Sequence, residues 1–275
     1  MLERNKKTFI CLLFWVVTAP TVEAAFEYRA GSVSSFAMAG AVDLHQAMPL
    51  DCYQHPALQP DGKLLVELSL ARLYNIPDFT HASGLVLRNY RAVTIGLGST
   101  QLTGSDFYWE RSYLGFVSVG FRQRWRVGMS IDYQRIQFSG GYDDLDLVSL
   151  SLGLLATISR RLRVAATVRN INQPRYSPQS ESTPRTGEVS LSHHLSRNIG
   201  LFLTYHVEEK MPDRLSFGQK ITILPEFSLR FGLRTEPVDL SGGFSLQIGR
   251  FFFDYGFTNN VYLGGTHKLG MRFAI

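Results

Sequence analysis

The last nine residues, His267 to Ile275, constrain the fold more than any other stretch. Leu269, Met271, Phe273 and Ile275 fall on one face of an extended chain, and Lys268, Gly270, Arg272 and Ala274 on the other. Successive side chains of a strand point to opposite faces, so one face is continuously apolar and the other small or basic. A final strand of this kind is expected to close a transmembrane β-barrel, with Leu269, Met271, Phe273 and Ile275 as its assembly signal. The plainer alternative is the edge strand of a soluble sandwich.

The same period of two recurs from Lys63 onward. Trp125, Val127, Met129, Ile131 and Tyr133 alternate with Arg126, Gly128, Ser130, Asp132 and Gln134; Phe251, Phe253, Tyr255 and Phe257 alternate with Phe252, Asp254, Gly256 and Thr258. Fourteen antiparallel strands are expected, from 63–75 to 262–275, with the seventh at 162–172. An even count suits a bacterial single-chain barrel. Connections alternate in kind. Tight turns such as Arg88–Arg91, Arg122–Arg124 and Ile248–Arg250 share an end with the C-terminus. Mostly longer ones, including Asn172–Arg185, lie at the other end. Short periplasmic turns and longer outer loops are the expected arrangement. The class is therefore all-β: an outer-membrane barrel at 63–275 in a Gram-negative-type cell, preceded by a plug segment at 25–62.

Residues 1–24 read as a cleaved signal peptide. Arg4, Lys6 and Lys7 precede the apolar run Thr8–Ala19, and Val22-Glu23-Ala24 is a small-residue cleavage site. The run is too short for a comfortable transmembrane helix, which needs about 20 residues. Cleavage removes Cys11 and leaves Cys52 alone, so no internal disulfide is expected. The plug reading rests on small residues, Ala30-Gly31-Ser32 and Ala37-Met38-Ala39-Gly40-Ala41, that permit close packing. A disordered tail is the alternative.

Chemistry is sparse. The net charge is +5, with no Lys/Arg block dense enough for nucleic acid. By alternation Arg126, Arg163, Arg169, Lys220, Arg230 and Arg272 face the lumen, as do Arg234 and Lys268, against Asp132 and Asp254. This basic set is expected to anchor the plug through Glu27, Asp43 or Asp51, or to select anions; ordinary solvated lumen charges are the alternative. Asp143, Asp144 and Asp146 lack the spacing of a calcium loop. His193 and His194 sit on opposite faces. No nucleophile motif points to an enzyme, and neither a cofactor nor a metal is expected. Trp109, Tyr113, Tyr133, Tyr142, Tyr205 and Tyr262 read as interfacial aromatics. Outer-membrane lipid and the barrel assembly machinery are the expected partners.

Several motifs resemble those of PorV/PorQ-type proteins, within the wider group of FadL-like (long-chain fatty-acid transporter-like) barrels. Arg29-Ala30-Gly31, Met38-Ala39-Gly40-Ala41, Asp51 and His55-Pro56-Ala57 are similar to the group's opening pattern, with His55 where Asn is usual. Val168-Arg169-Asn170-Ile171, Leu215-Ser216-Phe217-Gly218 and Leu229-Arg230-Phe231-Gly232-Leu233 resemble its strands. The more specific matches are Phe253-Asp254-Tyr255-Gly256-Phe257 and the closing Leu263-Gly264-Gly265-Thr266-His267-Lys268-Leu269. The resemblance implies a barrel with an N-terminal plug. It also implies either uptake of a hydrophobic or amphipathic small molecule or a carrier role for secreted cargo protein in type IX-like secretion. The plug motif comprises Gly40, Asp51, His55, Pro56 and Ala57.

Overall fold

A computed structural model describes residues 28, 30–122, 124–140, 143–176 and 182–274. The expectations for the signal peptide, Glu27, Arg29, Tyr142 and Ile275 lie outside them. Fourteen strands close into one antiparallel barrel in sequence order. They are β1 Leu64–Arg72, β2 Phe79–Tyr90, β3 Val93–Gly104, β4 Tyr108–Phe121, β5 Trp125–Phe138, β6 Leu145–Thr157 and β7 Leu162–Arg169. The second half runs β8 Thr186–His194, β9 Ile199–Glu208, β10 Arg214–Leu224, β11 Phe227–Arg234, β12 Asp239–Ile248, β13 Phe251–Asn260 and β14 Gly264–Ala274. Leu65 pairs with Ala274 and Arg72 with His267, so the first and last strands leave no edge.

Alternation is visible in every wall segment. Leu68, Leu97, Met129, Phe231 and Leu269 are among the apolar side chains exposed outside, where lipid would cover them, while Glu67, Ser112, Ser190, Arg230 and Lys268 are buried inside. Backbone groups at membrane depth must be satisfied within the protein, which only a helix or a closed sheet achieves. The outward hydroxyl of Tyr133 donates to Asp146 at 2.8 Å and that of Tyr205 to Asp213, near the ends of their strands.

Two strands are shorter than their apolar pattern suggests. β1 stops at Arg72 because Leu73–Asn75 forms a 3-10 turn, with Tyr74 and Asn75 at positive φ. β7 stops at Arg169, not Asn172, because Asn170 adopts φ 53°, which ends the extended run.

Residues 30–58 lie inside the barrel, and 59–62 lead out past the β2–β3 turn to β1. Helix α1, Val33–Ala37, starts at Ser32, whose hydroxyl accepts from the Ser35 backbone N–H at 3.0 Å. The turn that follows closes at Gly40, with φ 95°, whose N–H donates to the Ser35 carbonyl at 2.8 Å. A 3-10 turn, Pro49–Tyr53, follows. Val42, Leu44, Leu50, Cys52 and Leu58 form one apolar cluster with the inward-facing Leu65, Leu87, Phe116 and Leu155 of the wall.

Candidate functional site: the filled lumen

The inner segment meets the wall in two different ways. Its first part, Val33 to Ala41, lies in a groove made by inward glycines on five neighbouring strands: Gly218, Gly232, Gly243, Gly256 and Gly270. A Cβ on Gly232 would sit 2.2 Å from the Met38 carbonyl carbon, and one on Gly243 2.7 Å from Ala37 Cβ. A Cβ on Gly270 would meet Val33 Cγ2 at 2.6 Å. Glycine at these wall positions is what lets the segment's backbone approach the sheet. A smaller cradle, the paired Gly128 and Gly153, receives Pro56 and Ala57. A Cβ on Gly128 would lie 2.2 Å from the Pro56 oxygen.

Polar contacts hold the remainder. Asp43 accepts from the backbone N–H groups of His45 and Gln46 at 3.0 and 3.1 Å, and lies 3.2 Å from His194 Nε2 and 3.8 Å from Lys220 Nζ. Burial pushes its carboxyl up, but the His194 hydrogen bond and the Lys220 charge outweigh that and hold it at about 2. His55 is fully buried. Its Nδ1 lies 2.7 Å from Thr167 Oγ1 and its Nε2 2.6 Å from Glu188 Oε1. Glu188 also faces Arg169 at 3.4 Å and His206 at 3.5 Å. Asp51 ties the segment to itself: its carboxylate accepts from the Ser32 and Met48 N–H groups at 3.1 and 3.0 Å. Burial raises the Cys52 thiol well above its ordinary range.

The basic set divides by partner. Arg126 Nη1 donates to Gln59 at 2.6 Å, Arg163 Nη1 to the Leu44 carbonyl at 2.9 Å, and Lys220 to Gln46, so these three touch the inner segment. Lys268 does the same, donating to the Gly31 carbonyl at 2.6 Å. Arg169 and Arg230 instead pair with wall residues, Glu188 and Asp254. Arg272 stacks over Phe252, its Cζ 3.9 Å from the ring centre.

Sequence reasoning missed the acids and histidines of the same face: Glu67, whose carboxylate accepts from the Leu50 N–H at 2.8 Å, Glu188 and His194. The signal was present. Glu67 lies between outward-facing Val66 and Leu68, and Glu188 shares parity with Ser190 and Ser192. Asp144, just before β6, and Asp146, on β6, pair with Arg135 at 2.8 and 3.4 Å, which gives these acids an ionic partner within the wall.

The wall is not uniform. β6 has 13 residues, yet β7 pairs only with Leu152–Thr157. Beyond that, Ile171 N–H donates to the Leu150 carbonyl at 3.1 Å, and the Asn172 side chain bonds the Leu150 N–H and the Val148 carbonyl. Inside this seam Ser149 Oγ meets Asn170 Oδ1 at 2.5 Å. At the outer end, Phe107, Val261, Tyr262 and Leu263 are exposed.

No protein-family model and no curated protein matches this sequence. Solved structures do match in shape. The Pseudomonas putida toluene transporter TodX superposes with a TM-score of 0.69 at 10% identity, over 89% of this chain and 96% of that one. The CymD monoaromatic hydrocarbon channel gives 0.68 at 12%, over 90% and 98%. A Pseudomonas aeruginosa FadL homologue gives 0.67 at 9%, over 89% and 98%. The fourteen-stranded barrel is thus the fold of FadL-like channels.

Proposed function

We propose that this chain is an outer-membrane channel for hydrophobic or amphipathic small molecules, with residues 25–62 as its plug. One observation carries the reading: the β6–β7 ladder ends at Leu152/Val168 while β6 continues outward to Leu145. One backbone bond, Ile171 to Leu150, and the Asn170 and Asn172 side chains stand here in place of a strand ladder, so this stretch parts more easily than fully paired strands. Its inner lining combines Leu147 with Ser149, Ser151 and Asp132, which suits a small amphipathic molecule better than a long alkyl chain. Likeness in fold to a toluene transporter and a monoaromatic hydrocarbon channel supports the same substrate class. Arg126, Arg163, Lys220 and Lys268 then serve as plug anchors, while Arg169, Arg230 and Arg272 brace the wall. Membership of the PorV/PorQ-type subgroup rests on the closing Thr266-His267-Lys268 run and the Asp254-Tyr255-Gly256 strand.

The test is a reversible staple. Ser149→Cys with Asn170→Cys places two thiols across the seam, with Cys52 buried away from them. Toluene or lauric acid entry into reconstituted vesicles should fall on oxidation and recover on reduction. Equal flux in both states would remove the seam from the mechanism. Flux no faster than through protein-free bilayer would end the channel reading.

A second reading, carriage of secreted proteins, is favoured by the apolar outer tip Val261-Tyr262-Leu263, where Tyr262 is 83% exposed. Mass spectrometry of material retained by the protein from native membranes separates the two. Apolar small molecules support the channel. Secreted proteins lost from a Tyr262→Ser variant support the carrier.

A further inference from the structure

The two ends of the barrel carry opposite charge. Five of the six short connections contain arginine: Arg91 between β2 and β3, Arg122 and Arg124 between β4 and β5, Arg160 and Arg161 between β6 and β7. Arg197 and Arg250 continue the series between β8 and β9 and between β12 and β13, and only the β10–β11 turn, Pro225-Glu226, breaks it. The opposite rim holds acids in most loops, among them Asp78, Asp106, Asp143, Asp213 and Glu236. All the turn arginines are exposed, and among the described residues none has a carboxylate partner.

Their placement says what they meet. Each flanks or lies close to a large lipid-facing side chain at the lower edge of the apolar belt: Tyr90, Phe121, Trp125, Ile158, Leu195 and Ile248. Arg88, on the lipid side of β2, stacks over Tyr90 with its Cζ 4.7 Å from the ring centre. Successive hairpins around a barrel are about 10 Å apart, two strand spacings. That is close to the screening length of about 8 Å at physiological salt, so the charges act as a nearly continuous collar. Guanidinium matches phosphate geometry with paired donors.

We propose that this collar binds the phosphates of anionic phospholipids in the leaflet bordering the short-turn rim. A protein partner would call for charges converging on one face. Here they encircle the barrel at the depth where a lipid phosphate lies, beside side chains that the same lipid's acyl chains cover. The collar would hold the barrel at a fixed depth and orientation, independently of what passes through the lumen.

The experiment uses the full chain in vesicles of phosphatidylethanolamine and phosphatidylglycerol in equal parts, followed by mild detergent extraction and quantitation of the lipid that stays bound. Retained phosphatidylglycerol should exceed phosphatidylethanolamine by about fivefold or more. The quadruple variant Arg122→Gln, Arg124→Gln, Arg160→Gln, Arg161→Gln should lose most of the excess while keeping its heat-modifiable gel mobility. Lys210→Gln in an outer loop should change nothing. Retention at the bulk ratio by the unaltered protein overturns the proposal, as does an undiminished excess in the folded quadruple variant. So does a bulk lipid ratio combined with collar-dependent binding of polyglutamate, which would assign the rim to an acidic protein.

Discussion

The two halves of the inner segment are held by different physics. Val33–Ala41 has no charged side chain and fits by shape, its backbone sunk into wall glycines. Asp43–Ala57 also packs by shape, through Leu44, Leu50, Cys52 and the Gly128/Gly153 cradle, but adds buried groups with full or partial charge, Asp43, His55 and their partners on β7, β8 and β10. Close packing of neutral atoms responds to volume and ignores pH, whereas buried charge responds to protonation and to loss of a partner. One half of this segment can therefore act as a fixed foundation while the other remains open to release.

The hardest test of that contrast is steric. Gly232→Val puts a branched side chain where Met38 backbone already lies, so α1 should fail to dock and proteolysis should cut the segment in the folded barrel. Gly187→Ala, where nothing lies within 4 Å, should be silent. A protected segment in Gly232→Val would show that the groove is not what seats it.

Glu188→Ala comes next. It leaves His55, Arg169 and His206 without their shared acid, at a cost of about 3 kcal/mol. Hydrogen exchange should rise at residues 43–57 and stay unchanged at 33–41. Uniform exchange across both halves would mean that they open as one unit.

The Asp43 contribution should depend on pH with a definite sign. Its carboxyl titrates at about 2 in the fold against about 3.9 in an unfolded chain, so its stabilisation is complete above pH 4 and is lost between about pH 4 and 2. The amount at neutral pH is about 2–3 kcal/mol. Asp43→Asn should lose it at pH 7 and flatten the dependence in that window, as read from urea-dependent proteolysis of the segment. A pH profile identical to the parent's would remove Asp43 as the titrating group.

The smallest effect concerns Cys52. Buried and with a raised thiol, it should resist alkylation in the folded protein and react once the second half opens, so Glu188→Ala should label faster than the parent. Equal labelling rates would place Cys52 outside the region that Glu188 holds.

Most of the barrel was readable because its physics is local. A residue's parity within a strand decides which side it faces, and lipid outside makes that parity visible as alternation. Trp125–Phe138 could be bounded from its residues alone, and the inward direction of Arg126 and Arg230 followed from their neighbours. The end of β7 was not readable. Val168-Arg169-Asn170-Ile171 keeps the extended pattern, and the left-handed turn at Asn170 is tied to hydrogen bonds with Ser149 and the Pro184 carbonyl, distant in sequence.

Composition and alternation by themselves determined an even-numbered barrel, its fourteen strands, the faces of its side chains and a small-residue segment ahead of it. Tertiary structure alone decided which wall glycines receive which inner residues, that His55 meets Glu188 across 133 positions of chain, and that Arg163 holds Leu44 while Arg169 pairs with Glu188. The reason is geometric. Alternation states only that a side chain points inward, but the closing of the sheet and the path of the segment inside it set what it meets there.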